Sequence, residues 1–116
     1  MSPEEFQRMI APLRDQYLAA LPDTLAMIGQ LWQQVLRGTD APGDRDALRR
    51  EVHNLAGTGS TFGLSGLTEA ARAFEVRWDA AGLAQQPLAA VSPQQAQLQQ
   101  AQLQAAMDAL IRAGKA

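Results

Sequence analysis

Residues 44–63 read DRDALRREVHNLAGTGSTFG. Leu48, Val52, Leu55, Gly59 and Phe62 recur at three- and four-residue spacings, which is the period of an amphipathic helix and not of a strand. Asp44 and Asp46 open the segment, where carboxylates complement the positive end of a helix. Gly63 supplies a stop. The helical wheel, at about 100° per residue with His53 set to zero, gathers the apolar set near −140°. Asp46, Arg49, Gly57 and Ser60 fall within about 40° of His53 on the same wheel, and Arg50 lies at about 60°. The imidazole is therefore expected to face away from the core, in the middle of a helix.

The rest of the chain carries the same period. Ser2, Pro3 and Glu5 form an N-terminal capping box, and Phe6, Met9/Ile10, Leu13, Tyr17 and Leu21 follow on one stripe. Pro12 and Pro22 interrupt it and predict a kink or a boundary, because an internal proline removes a hydrogen bond and crowds the preceding turn. Leu25, Ile28, Trp32, Val35 and Leu36 define a second run ending at Gly38. Residues 38–44, GTDAPGD, are turn chemistry. Beyond Gly63 a helix from about Ser65 carries Leu67, Ala71, Phe74 and Trp78 and ends at Gly82. Residues 83–91 read as a linker with Pro87 at its centre. Ser92, Pro93 and Gln95 form another capping box, opening a last helix with Leu98, Leu103, Met107, Leu110 and Ile111. Its Gln-rich part, residues 94–104, is also compatible with a low-complexity segment, but the cap and stripe favour helix. Five helical segments with short connections predict an all-α fold: an antiparallel up-down four-helix bundle with an additional N-terminal helical segment, as one domain over residues 1–116.

Composition narrows the chemistry. The 116 residues contain no Cys and one His, which excludes disulfides, thiolate zinc sites, a Cys nucleophile and multi-His metal sites. Ten Lys and Arg against twelve Asp and Glu leave no basic footprint for nucleic acid. No apolar stretch approaches the ~20 residues a bilayer span needs, and MSPEEF lacks the basic and apolar regions of a secretory signal. The expectation is a cytoplasmic protein without nucleic-acid or membrane partners. No phosphate-binding glycine loop follows a strand, and no kinase nucleotide motif is present.

An exposed histidine is most simply an idle one. Its neighbours argue otherwise. A glycine inside a helix costs about 1 kcal/mol relative to alanine, and this helix accepts both Gly57 and Gly59. Gly59 points coreward and suits close approach of a neighbouring helix. Gly57 and Ser60 leave a surface without bulk beside the imidazole and suit docking of another protein.

The run HNLAGTGSTFG, residues 53–63, resembles the histidine-containing phosphotransfer (HPt) domain family. His53, Leu55, Gly57, Gly63 and Leu64 match its pattern, and the likeness continues through LTEAARAFE, Leu67 to Glu75. The resemblance implies a phosphocarrier and not an enzyme in its own right. The imidazole takes a phosphoryl group from a receiver-domain aspartyl phosphate or a hybrid sensor kinase and passes it to another receiver. The receiver brings Mg²⁺ and an acidic pocket, so this chain needs no metal or cofactor. The family's lysine three residues after the histidine is Ala56 here; Arg49, Arg50 or Arg72 could supply positive charge instead. Glu75 is twelve residues beyond Gly63 and His53 ten before it, so a helical hairpin brings them opposite each other. A carboxylate there could fix the ring tautomer. The expected supporting set is thus Glu75, Arg49, Arg50 and Arg72, with Gly57 and Ser60 on the docking surface of a monomer. The alternative is a non-phosphorylated adaptor or inhibitor that binds receivers or kinases, supported by the missing lysine.

Overall fold

A computed structural model describes residues 1–83 and 93–115. It contains α1 (Pro3–Arg37), α2 (Asp44–Thr61), α3 (Ser65–Ala80) and α4 (Pro93–Lys115), with no strand among the described residues. Around the bundle α1 packs on α2, α2 on α3, α3 on α4 and α4 back on α1. Contacts run antiparallel: Trp32 meets Gln104 while Leu25 lies against Gly114, and His53 meets Glu75 while Arg49 meets Asp79.

Three of the helix ends have a clear chemical cause. The Ser2 hydroxyl accepts from the Glu5 amide at 3.2 Å, closing one side of the expected capping box. Gly38 takes φ 70°, and the Gly38 and Thr39 amides return to the Val35 and Gln34 carbonyls. The α2 end repeats this pattern. Gly63 takes φ 78°, its amide donates to Ser60, and the Leu64 amide donates to Gly59. This is the Schellman arrangement, in which a left-handed residue lets two orphan carbonyls be satisfied. It turns the chain tightly into α3 and so sets the register of the two helices that carry the site.

The core is built from Leu21, Leu25, Ile28 and Trp32 of α1, Leu48, Val52 and Leu55 of α2, Leu67, Ala71, Phe74 and Trp78 of α3, and Leu103, Met107 and Leu110 of α4. Burying each large apolar side chain contributes about 1.5–3 kcal/mol. Trp32 meets Phe74 edge to face at 5.8 Å, and its indole N–H, which must find a partner when buried, donates to Gln104 Oε1 at 2.9 Å.

Several expectations are corrected. The first two segments are one continuous helix, not a helix and an additional N-terminal piece; the bundle's first helix simply extends. Pro12 and Pro22 do not break it. Both are exposed, as are Arg8 and Leu18, whose carbonyls lose their bonding partners, so the lost bonds fall on residues that face solvent. The N-terminal apolar stripe is not core. Phe6, Met9 and Leu13 are exposed because α1 runs on past the α2–α3 turn, where one edge of it, at Phe6, Ile10 and Arg14, borders an open cleft with Phe62 and Gly63. The junction is marked by Tyr17, whose ring lies tilted 5.0 Å from that of Phe62 and whose hydroxyl accepts from Thr58 Oγ1 at 3.0 Å. Thirty-five residues at about 1.5 Å each span roughly 52 Å, which accounts for a long dimension of 55 Å in a molecule 23 by 22 Å across. Leu98, assigned to the core stripe of the last helix, is exposed near that helix's start, whereas Leu83, assigned to the linker, is fully buried. Ser92, Pro87 and the remaining linker residues lie outside the described residues.

Candidate functional site

His53 sits midway along α2 with its side chain 69% exposed. The core residues Val52 and Leu55 flank it in sequence and turn it outward, as the helical wheel requires. Its Nδ1 lies 3.1 Å from Glu75 Oε1 and 3.4 Å from Oε2. Glu75 comes from α3, and only 14% of its side chain is exposed. An ionised carboxylate only accepts hydrogen bonds, so a neutral imidazole meets it as the Nδ1–H tautomer. Nε2 is then the nitrogen with a free lone pair, and it has no protein partner among the described residues.

Beside the ring the surface is open. A Cβ built on Gly57 would meet nothing within 4 Å, and Ser60, one turn on, is exposed. Gly59 faces the other way. A Cβ there would come within 2.7 Å of Thr68 Oγ1 and 3.3 Å of the Leu64 carbonyl oxygen. The Thr68 hydroxyl is buried and donates to the Ala56 carbonyl at 2.9 Å. Gly59 is therefore what lets α3 approach α2 closely enough for Glu75 to reach His53. Thr68 thus works at the contact between the two helices.

The arginines divide. Arg49 is committed: Nη1 lies 3.1 Å from Glu75 Oε2, while Nε and Nη2 reach Asp79 Oδ1 and Oδ2 at 3.2 and 3.1 Å. Its hydrogen bond to Asp79, assisted by the charge of Glu75, holds its pKa above the ordinary arginine value. Arg50 is exposed on α2 and forms no ion pair among the described residues. Arg72 is exposed on α3 one turn before Glu75 and lines a shallow cleft with Ser60, Gly63, Ser65, Thr68 and Glu69. Ala56 is buried, and the register pairing 53 with 75 and 49 with 79 places position 72 across from it. Asp79 was not singled out by sequence. Its signal was available: it stands four residues beyond Glu75 just as Arg49 stands four before His53.

The fold and site define a class: four-helix bundles that present one hydrogen-bonded histidine from a helix flank, with cleared surface beside it. Comparison with known families matches the chain to Hpt, the Hpt domain, over residues 12–113, and the chain belongs to this family. Membership implies a histidine phosphotransfer role in phosphorelay. No curated protein and no solved structure gave a match. Among the described residues no helix is long and apolar enough to cross a membrane.

Proposed function

We propose that the protein is a phosphorelay carrier that accepts a phosphoryl group on His53 Nε2 from a receiver aspartyl phosphate or a sensor kinase and delivers it to a receiver aspartate. The observation that carries this reading is the ring itself: exposed, tethered through Nδ1 by Glu75, and bordered by the clear surface at Gly57. In the forward step the Nε2 lone pair attacks phosphorus. The phosphorus–oxygen bond to the donor aspartate breaks and its electron pair leaves with the carboxylate. The ring keeps its Nδ1 proton and gains cationic character, which the Glu75 carboxylate stabilises. The second transfer reverses these bonds on a new aspartate.

Such transfer is chiefly positioning and charge neutralisation. The receiver supplies Mg²⁺ and the acidic pocket. On this side Arg72 and Arg50 are the cations free to face the phosphoryl oxygens in place of the family lysine. The carrier acts as a cytoplasmic monomer, so that one flank meets successive receivers. The test is incubation with an acetyl-phosphate-charged receiver. An acid-labile phosphohistidine, absent from His53→Gln, supports the carrier. Receiver binding without transfer supports the adaptor reading that the missing lysine at Ala56 suggests.

A further inference from the structure

We propose that Asp79 is a positioning residue for the phosphoryl-accepting nitrogen, acting through Arg49 and Glu75; this rests on the carrier reading above. The side chains form a continuous chain: Asp79 to Arg49, Arg49 to Glu75, Glu75 to His53 Nδ1. It arises because α2 and α3 run antiparallel, so residues one turn apart on each helix pair at the same register. Asp79 binds the Nε–Nη2 edge of the guanidinium at two points. The guanidinium is planar and rigid, so fixing that edge fixes where Nη1 points. Nη1 points at Glu75 Oε2. With Oε2 occupied, Oε1 is left for the imidazole, at the shorter of its two distances to Nδ1.

Two physical consequences make this more than an ornamental ion pair. Glu75 is largely covered, and a covered carboxylate oxygen without a partner is costly, so the rotamer that satisfies both oxygens is strongly preferred. Charges also alternate along the chain. Arg49 neutralises much of Glu75, so a neutral imidazole donating one N–H suffices as the other partner, and the ring keeps its Nε2 lone pair. Asp79 itself is mostly exposed, with 58% of its side chain in contact with water, and supports no core packing. Its contribution to the site is therefore separable from any contribution to folding.

The chain has a single histidine, so its ring nitrogens give one unambiguous set of long-range ¹H–¹⁵N correlations. Spectra are recorded at about pH 8, above the reference imidazole range, for wild type, Asp79→Asn, Asp79→Glu, Arg49→Met and the Asp79→Asn/Arg49→Met double variant. Circular dichroism checks that each is folded. Wild type is expected to show the Nδ1–H tautomer. Asp79→Asn shifts the ring toward the Nε2–H form and slows phosphoryl acceptance roughly two- to fivefold, the range an exposed ion pair supports. Asp79→Glu restores the wild-type tautomer. The double variant matches Arg49→Met, because Asp79 acts through Arg49. A wild-type ring spectrum in Asp79→Asn, or additive effects in the double variant, overturns the proposal even if transfer proceeds. Expected ring spectra with no phosphorylation of any variant, wild type included, uphold the positioning chain and sink the carrier reading instead.

Discussion

Gly57 and Gly59 offer a matched pair of perturbations within one helix, two residues apart. Replacing either by alanine brings the same intrinsic gain, about 1 kcal/mol of helix propensity. The surroundings then decide the sign. At Gly57 the added methyl meets nothing within 4 Å, so the gain survives and Gly57→Ala is stabilising by about 0.5–1 kcal/mol. At Gly59 the methyl arrives 2.7 Å from Thr68 Oγ1 and 3.3 Å from a backbone oxygen that cannot swing aside. Overpacking of this kind costs about 1–3 kcal/mol. Displacing the Thr68 hydroxyl from the Ala56 carbonyl adds about 1–3 kcal/mol for the buried bond left unmade. Gly59→Ala is thus destabilising by about 1–5 kcal/mol net, and, the intrinsic gain being common to both, the two variants differ by at least ~2 kcal/mol. At about 4 °C per kcal/mol for a domain of this size, thermal unfolding separates them by roughly 8 °C or more, with wild type between. A Gly59→Ala midpoint equal to or above wild type would refute the close-approach argument, and with it the account of how α3 is brought to His53.

Three further outcomes are expected. His53→Gln keeps the wild-type far-UV circular dichroism and loses no more than about 1.5 kcal/mol of stability, the range for one hydrogen bond, while losing all acid-labile phosphate; unfolding would contradict the outward placement of the ring. Gly57→Leu folds normally but loses receiver-dependent phosphorylation, and transfer at the wild-type rate would show that the clearance beside His53 is not used in docking. Trp32→Phe removes the indole donor to Gln104 and lowers stability by about 1–2 kcal/mol, read by chemical denaturation; a smaller loss when Gln104 is already replaced by leucine identifies the hydrogen bond as the cause.

How far the site could be read from sequence depended on the range of the physics involved. The outward direction of His53 and the inward direction of Gly59 follow from 100° of rotation per residue, a purely local quantity, and the fold obeys it. The pairing of His53 with Glu75 needed only one further assumption, a tight turn near Gly63, and the Schellman end of α2 provides that turn. The role of Arg49 was less legible. Sequence places it near the histidine and suggests a counter-charge for phosphate, whereas its guanidinium is already bound by two carboxylates. That commitment depends on the register across two helices, which one-dimensional periodicity does not contain. The extent of α1 was misread for a different reason. An internal proline is tolerated more readily where its lost hydrogen bond faces solvent, and burial is a property of the assembled bundle. The stripe from Phe6 to Leu13 shows the same limit, since periodicity identifies an apolar face without saying whether a neighbour exists to cover it.

The length of α1 sets up two regimes inside one uninterrupted helix. Residues from Leu21 to Val35 are clamped by packed neighbours, so their amides are freed only when the whole bundle opens. The segment before Tyr17 lacks that enclosure and holds its shape through local hydrogen bonding and the Ser2 cap. Hydrogen-exchange protection should therefore fall steeply toward the N-terminus along a single rod, making α1 a cooperative unit at one end and a fraying spur at the other.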